Sequence, residues 1–270
     1  MPLRFRPNER VSITVEEDGV AQLRLIRANK LNALDPAMFD ALLEAGQALY
    51  EARNVRAVVL AGEGRGFCAG IDLGNFQPQK GDDAPDFTQR THGAANRFQH
   101  AALLWRKLPM PVIAAVHGVC FGGGLQLASG ADIRVVAPDA RLSVMEMKWG
   151  LVPDMGGYVL WRGLVRDDVL RELVWTNREF SGAEAQELGF ATYVDADPLA
   201  RATAIARTIA QRSPHAVRAA KALSNRMADA RSEDILIEES RAQHGLKGSR
   251  NQREAVASQM EKREARYTDP

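Results

Sequence analysis

Near its start the chain alternates. Apolar and polar residues take turns in "VSITVEE" (11–17), Asp18–Gly19 follows, and "VAQLRLI" (20–26) comes next. Strand-like runs on both sides of an Asp-Gly pair predict a β-hairpin. In "LDPAMFDALLEAGQALYEARN" the period changes: Met38, Leu42, Leu43 and Leu49 fall on one helical face, with Asp35 placed as N-cap and Pro36 at the first helical position. The short apolar runs "RAVVLAG" (56–62), "PVIAAVHG" (111–118) and "DIRVVAP" (132–138) read as buried strands. Residues 74–86, polar and rich in turn formers, read as a surface loop, and a helix is expected over 87–107, stopped by "LPMP". Beyond residue 157 helical patterning dominates and only "ATYVD" (191–195) reads as a strand; "SEDILIEESRAQHGL" is the last strong helix, before the charged amphipathic "NQREAVASQMEKREA". Strands alternating with helices, then helices alone, argue an α/β core with a helical C-terminal part. No internal repeat of fixed period and no extended low-complexity segment interrupts this pattern.

Composition narrows the function classes. With 270 residues, 46% of them hydrophobic, the chain can bury the core of one large domain, or of a domain plus an appendage. The 35 basic and 34 acidic residues leave a net charge of +1, so no bulk attraction to nucleic acid or membrane is indicated. Two cysteines, Cys68 and Cys120, do not make a disulfide scaffold and suggest a reducing compartment. "MPLRFRPNER" lacks the apolar core of a signal peptide, and no apolar run is long enough to cross a bilayer. The expectation is a soluble cytoplasmic protein. The five histidines form no ligand-like spacing with the cysteines, and no metal site is expected.

Two stretches join a buried strand to a helix through glycine: "VVLAGEGRGFCAGIDL" (58–73) and "AAVHGVCFGGGLQLA" (114–128). Glycine there serves tight turns and close packing, or it lets the main chain approach a ligand. Two N–H groups aimed at one point would make an oxyanion hole. Neither stretch fits a dinucleotide fingerprint, and no Gly-Lys-Ser/Thr marks a phosphate loop.

Four stretches in order, "RANKLNAL" (27–34), "GRGFCAGIDL" (64–73), "AVHGVCFGGGLQLASGADIRV" (115–135) and "EMKWGLVPDMGG" (146–157), resemble the crotonase family, the enoyl-CoA hydratase/isomerase superfamily. The resemblance implies an α/β fold, a crotonase-like spiral of ββα turns with a helical C-terminal oligomerisation part. It divides the chain into a catalytic core over 1–200 and a helical region over 201–270 that packs subunits into homotrimers or dimers of trimers. It implies an acyl-CoA thioester as substrate, with no metal and no cofactor beyond the coenzyme A of the substrate itself. The oxyanion donors map onto the amides of Ile71 and Gly123. Coenzyme A and substrate contacts map onto Arg27, Ala28, Lys30, Ala69, Ile71, Asp72 and Leu73; plain solvated charge is the competing reading for Arg27 and Lys30.

Family hydratases share water activation between two carboxylates. One aligns with Glu146, its register set by "GLVP" (150–153), and the other falls on Gln126. A glutamine can hold a water or a substrate group but cannot exchange a proton at neutral pH. Glu146 stands in an apolar setting that would raise its pKa and poise it as a base; capping the following turn is the alternative. Asp154 stands where the family's dienoyl-CoA isomerases carry an acid, or else caps the helix before "MGGYVLWRGLV". These residues lean towards double-bond isomerisation through an oxyanion-stabilised enolate. The alternatives are a one-carboxylate hydratase with water held by Gln126, a non-catalytic acyl-CoA-binding protein, and a structural trimer without ligand. The acyl pocket is expected from 74–105 and from the C-terminal helices.

Overall fold

The computed structural model describes residues 4–75 and 86–270; most of the loop expected over 74–86 lies outside them. The strands are β1 (Arg4–Phe5), β2 (Val11–Val15), β3 (Val20–Leu25), β4 (Ala57–Gly62), β5 (Val112–Val116), β6 (Val119–Phe121), β7 (Ile133–Val136), β8 (Arg141–Ser143), β9 (Phe180–Ser181) and β10 (Tyr193–Val194). The α-helices are α1 (Pro36–Glu51), α2 (Arg97–Lys107), α3 (Gly123–Ser129), α4 (Gly157–Trp161), α5 (Asp167–Thr176), α6 (Gly182–Glu187), α7 (Pro198–Ala210), α8 (Pro214–Arg226), α9 (Ser232–Leu246) and α10 (Arg250–Glu261).

A large sheet runs in the order β1-β2-β3-β4-β5-β7-β10, antiparallel through the β2–β3 hairpin and parallel from β3 onward. Every residue of β4 and β5 is buried, which is why those strands read as unbroken apolar runs, whereas β2 alternates buried and half-buried. The alanines Ala202, Ala206 and Ala210 repeat every four residues along α7 and lay that helix on Val59, Ile113 and Val135. The larger core, with Leu42 of α1, Trp105 of α2 and Leu127 of α3, covers the opposite face. A smaller sheet, β6-β8-β9, stands beside the first.

The chain leaves β5 for β6 at Gly118, where φ is +58° and a Cβ would come within 2.0 Å of the Arg65 carbonyl. Only glycine fits there. The segment after β4 then runs along β6: the Phe67 and Cys68 amides donate to His117 and Val119, and Phe121 donates back to Cys68. The two glycine-rich stretches thus lie side by side.

Several expectations change. The helix expected over 87–107 starts only at Arg97, because Asn96 and Gln99 form a capping box there. Past residue 157 there is one strand besides β10, namely β9, which pairs with β8 in the small sheet. The boundary expected at 200/201 falls inside α7, which is packed on the sheet. Lys221 of α8, itself buried, donates to Asp132 and to the carbonyls of Trp105 and Met110.

Candidate active site

Ile71 pairs with Leu34 in an isolated parallel bridge: the Leu34 amide donates to Gly70, and the Asp72 amide donates to Leu34. This alternation turns the Ile71 N–H away from Leu34. Gly123 opens α3 behind Gly122, whose φ is +50°, so its N–H has no carbonyl one turn back to bond. Neither amide donates a hydrogen bond among the described residues. Both residues line one cavity, and a Cβ built on Gly70 would lie 3.6 Å from the Gly123 nitrogen.

The Ile71 loop is braced by charge. Arg27 reaches Asp72 at 2.6 Å and Asp35 at 3.4 Å, and it also donates to the Ala33 carbonyl. Asp35 pairs with Arg10 at 2.9 Å and accepts the Met38 amide as N-cap of α1, as the sequence pattern indicates. Burial alone would raise the Asp35 pKa, but the Arg10 guanidinium and the Met38 N–H hold it below its ordinary value. Asp72 is lowered by the Gly74 N–H and then by Arg27. The half-buried Arg27 guanidinium is taken up inside this network. Ala69, Ile71 and Leu73 line the cavity, whereas Arg27, Ala28, Lys30 and Asp72 do not. Lys30 is exposed, and its charge bears on Asp72.

Glu146 begins a 3₁₀ turn (Glu146–Trp149) whose N-cap is Met145, so it is not a side-chain cap. Its Oε1 accepts the Gln126 Nε2 at 2.6 Å. Its Oε2 is buried without a partner. Burial raises the Glu146 pKa; its own backbone N–H and Gln126 offset this in part, and Asp154 adds to the rise. Asp154, itself exposed, lines the same cavity, and desolvation by the surrounding protein raises its pKa as well. It does not cap a helix either: Gly156, with φ of +85°, precedes α4, and no side chain caps that helix.

Gln126 corrects an expectation. It is fully buried and absent from the cavity wall. Its Oε1 accepts the amides of Met155 and Gly157, each at 2.9 Å, so it does not hold a water or substrate group in the cavity. His117 bonds the Gly64 carbonyl, and Cys68 and Cys120 are buried beneath the two loops. Burial pushes the Cys68 thiol up to about 12, against any nucleophilic role.

The cavity encloses about 1090 Å³. Phe39, Phe87 and Phe98 line one part of it, with Phe98 5.0 Å from Phe39 and 5.2 Å from Phe87 between ring centroids. Met145, Trp149, Leu151 and Met155 add further apolar surface, with Arg141 and Glu179 paired at 2.7 Å. The expected contribution from 74–105 is present in Gly74, Phe87 and Phe98, but no residue of α7 to α10 lines this cavity. Missed by the sequence reading were the apolar lining residues of 145–155, Met145, Trp149, Leu151 and Met155, around the expected Glu146 and Asp154. The signal was "MKWGLVPDM", apolar residues following neither period, of which Met147, Trp149, Leu151 and Val152 stand exposed.

The enoyl-CoA hydratase/isomerase family model matches residues 15–270. The mitochondrial Delta(3,5)-Delta(2,4)-dienoyl-CoA isomerase of Mus musculus is 33% identical over 221 residues, 79% of this chain and 68% of that protein. The peroxisomal protein of the same description from Arabidopsis thaliana is 32% identical over 259 residues, 93% of each. The crystal structure of an enoyl-CoA hydratase from Bacillus anthracis superposes with a TM-score of 0.86 at 28% identity, covering 96% of this chain and 98% of the other.

Proposed function

Since the chain belongs to the enoyl-CoA hydratase/isomerase family, we propose that it moves a double bond within an enoyl or dienoyl thioester of coenzyme A. The thioester oxygen accepts the N–H groups of Ile71 and Gly123. As a proton leaves carbon, charge develops on that oxygen, and these donors stabilise it without reorganising. Glu146, which lines the cavity, takes the proton. A proton returned further along the conjugated chain, by Glu146 or by Asp154, completes the migration. One C–H bond breaks and one forms, and no water is consumed. Raised pKa values suit both carboxylates to this exchange.

The observation that carries this reading is Gln126. Where a hydratase would place its second carboxylate, this chain has a buried amide committed to Met155, Gly157 and Glu146. The dienoyl-CoA isomerase relatives support extending the substrate to dienoyl esters. The aromatic and aliphatic cavity wall suits an apolar acyl group. Exposed Lys30 supplies positive charge for the coenzyme A phosphates. Assembly into trimers or paired trimers and a cytoplasmic location belong to the same reading. The assembly is supported by α9, which buries none of its residues and exposes Leu236 and Ile237.

The test is a turnover screen over 2-enoyl, 3-enoyl and dienoyl CoA esters, with wild type and Glu146→Gln. Isomerisation should outrun hydration, and Glu146→Gln should lose roughly 10²–10⁴ in turnover. Faster hydration of 2-enoyl esters, or an active Glu146→Gln, overturns the reading.

A further inference from the structure

We infer that Gln126 is a positioning residue, whose carboxamide ties the Glu146 carboxylate to the backbone beside Asp154 and so fixes its orientation at the cavity. The inference rests on the proposed role of Glu146. Its basis is the orientation of one amide.

A carboxamide offers two acceptor lone pairs and two N–H donors. Both lone pairs of Gln126 are occupied, by the Met155 and Gly157 amides. The Nε2 must therefore face Glu146. A flipped amide would set N–H against two N–H donors and oxygen against a carboxylate, three repulsive contacts at once. Glu146 Oε1 always has a donor, and Oε2 is left without one. The same side chain anchors Met155, the residue that directly follows Asp154. One buried amide thus sets the placement of both carboxylates. It also favours the ionised form of Glu146, opposing burial, so that the base is not permanently protonated.

A glutamate at 126 would behave differently. One of its oxygens could take both backbone amides, but the other would oppose Glu146 Oε1 and require a proton between them. Of the charged groups lining the cavity with Glu146, namely Arg141, Lys148, Asp154 and Glu179, Asp154 is the one whose charge raises it.

The fold supplies a control. Ser129 lies three residues on, on the same side of α3, accepts the Trp161 indole N–H at 2.9 Å and donates to the Leu125 carbonyl. Ser129 also latches α4 to α3 but makes no hydrogen bond to Glu146. A merely structural role predicts similar effects from loss of either latch.

The experiment compares full-length wild type, Gln126→Met, Gln126→Glu and Ser129→Ala. It measures kcat, KM and the pH profile of kcat/KM with whichever CoA ester wild type isomerises fastest. Gln126→Met should lose roughly 10²-fold in kcat, the scale of a misplaced catalytic group, with little change in KM. Its acidic limb should move to higher pH, because Glu146 loses the donor that favours its charged form. That shift should persist in the Asp154→Asn background; its disappearance there would assign it to a displaced Asp154 and overturn the inference. Gln126→Glu should recover part of the lost kcat at acid pH, where a shared proton restores the donor, and lose it as pH rises. Ser129→Ala should be less stable, with its profile in place. An unmoved profile in Gln126→Met, or one moved equally in Ser129→Ala, overturns the inference. Should Gln126→Met not fold, the absence of pH-dependent recovery in Gln126→Glu does the same. With Glu146→Gln inactive, such a failure touches only Gln126; with Glu146→Gln active, the functional reading fails first.

Discussion

Gly124 offers the sharpest test of the paired loops. It is the second residue of α3, and a Cβ there would come 2.4 Å from the Cys68 carbonyl oxygen and 2.8 Å from the Cys68 Cβ. That carbonyl already accepts the Phe121 amide at 3.0 Å, so it belongs to the seam joining the two loops. No rotamer relieves a clash with backbone. Reaching ordinary contact at 3.4 Å requires the loops to part by about 1 Å. Overpacking of this kind costs about 1–3 kcal/mol of stability, less what alanine regains over glycine within a helix. The catalytic cost should be larger, since the seam sets the separation of the Ile71 and Gly123 donors. A displacement of about 1 Å corresponds to roughly 10²-fold in kcat, or about 2.7 kcal/mol in the barrier. Gly123→Ala is the informative comparison: its Cβ would meet Met155 Sδ at 2.8 Å and Leu34 Cδ1 at 2.9 Å, ends of side chains that can move, and the N–H remains. It should lose less turnover than Gly124→Ala. The assay is steady-state turnover beside thermal melts and circular dichroism. A folded Gly124→Ala with undiminished kcat would refute the idea that loop spacing governs catalysis.

Two further outcomes follow from buried charge. The pKa of Glu146 is raised in the folded chain, so its ionisation opposes folding: the penalty is absent below the unfolded carboxylate pKa and grows as pH rises through the folded value. Glu146→Gln should therefore melt higher than wild type at neutral and alkaline pH, with the gap closing on acidification; an equal gap at every pH would contradict the burial argument. Lys221→Met keeps the apolar stem but leaves Asp132 and the carbonyls of Trp105 and Met110 without their ammonium partner, which should cost about 3 kcal/mol in urea unfolding, with turnover intact below the melting range.

The residues whose pattern is local were the ones legible in the sequence. The Asp-Gly hairpin, the Asp35 cap and the unbroken apolar runs of β4 and β5 each follow from a period or a single capping bond. The pairing of Cys68 with Cys120 was not legible, because it arises only when β6 passes beside the loop after β4. Strands β1, β6, β8 and β9 have two or three residues each, too few for a period to show. At the site, Glu146 and Asp154 were legible as candidate acids, and the structure places them on one cavity wall. What Gln126 bonds was not, since its partners lie 20, 29 and 31 residues away along the chain. The ion pairs of Arg27 were illegible for the same reason: its two aspartates are brought beside it only by the fold.

The unpaired amides of Ile71 and Gly123 have a consequence for deuterium exchange. Around them Ala69, Asp72 and Gly122 each donate to a backbone carbonyl, so those protons exchange only when the structure opens. The Ile71 and Gly123 protons need no opening. They should exchange at a rate set by solvent entry into the cavity, fast amides held in a rigid frame. An oxygen acceptor seated between them should slow both together while their neighbours stay unchanged, giving the empty and occupied cavity a two-residue signature.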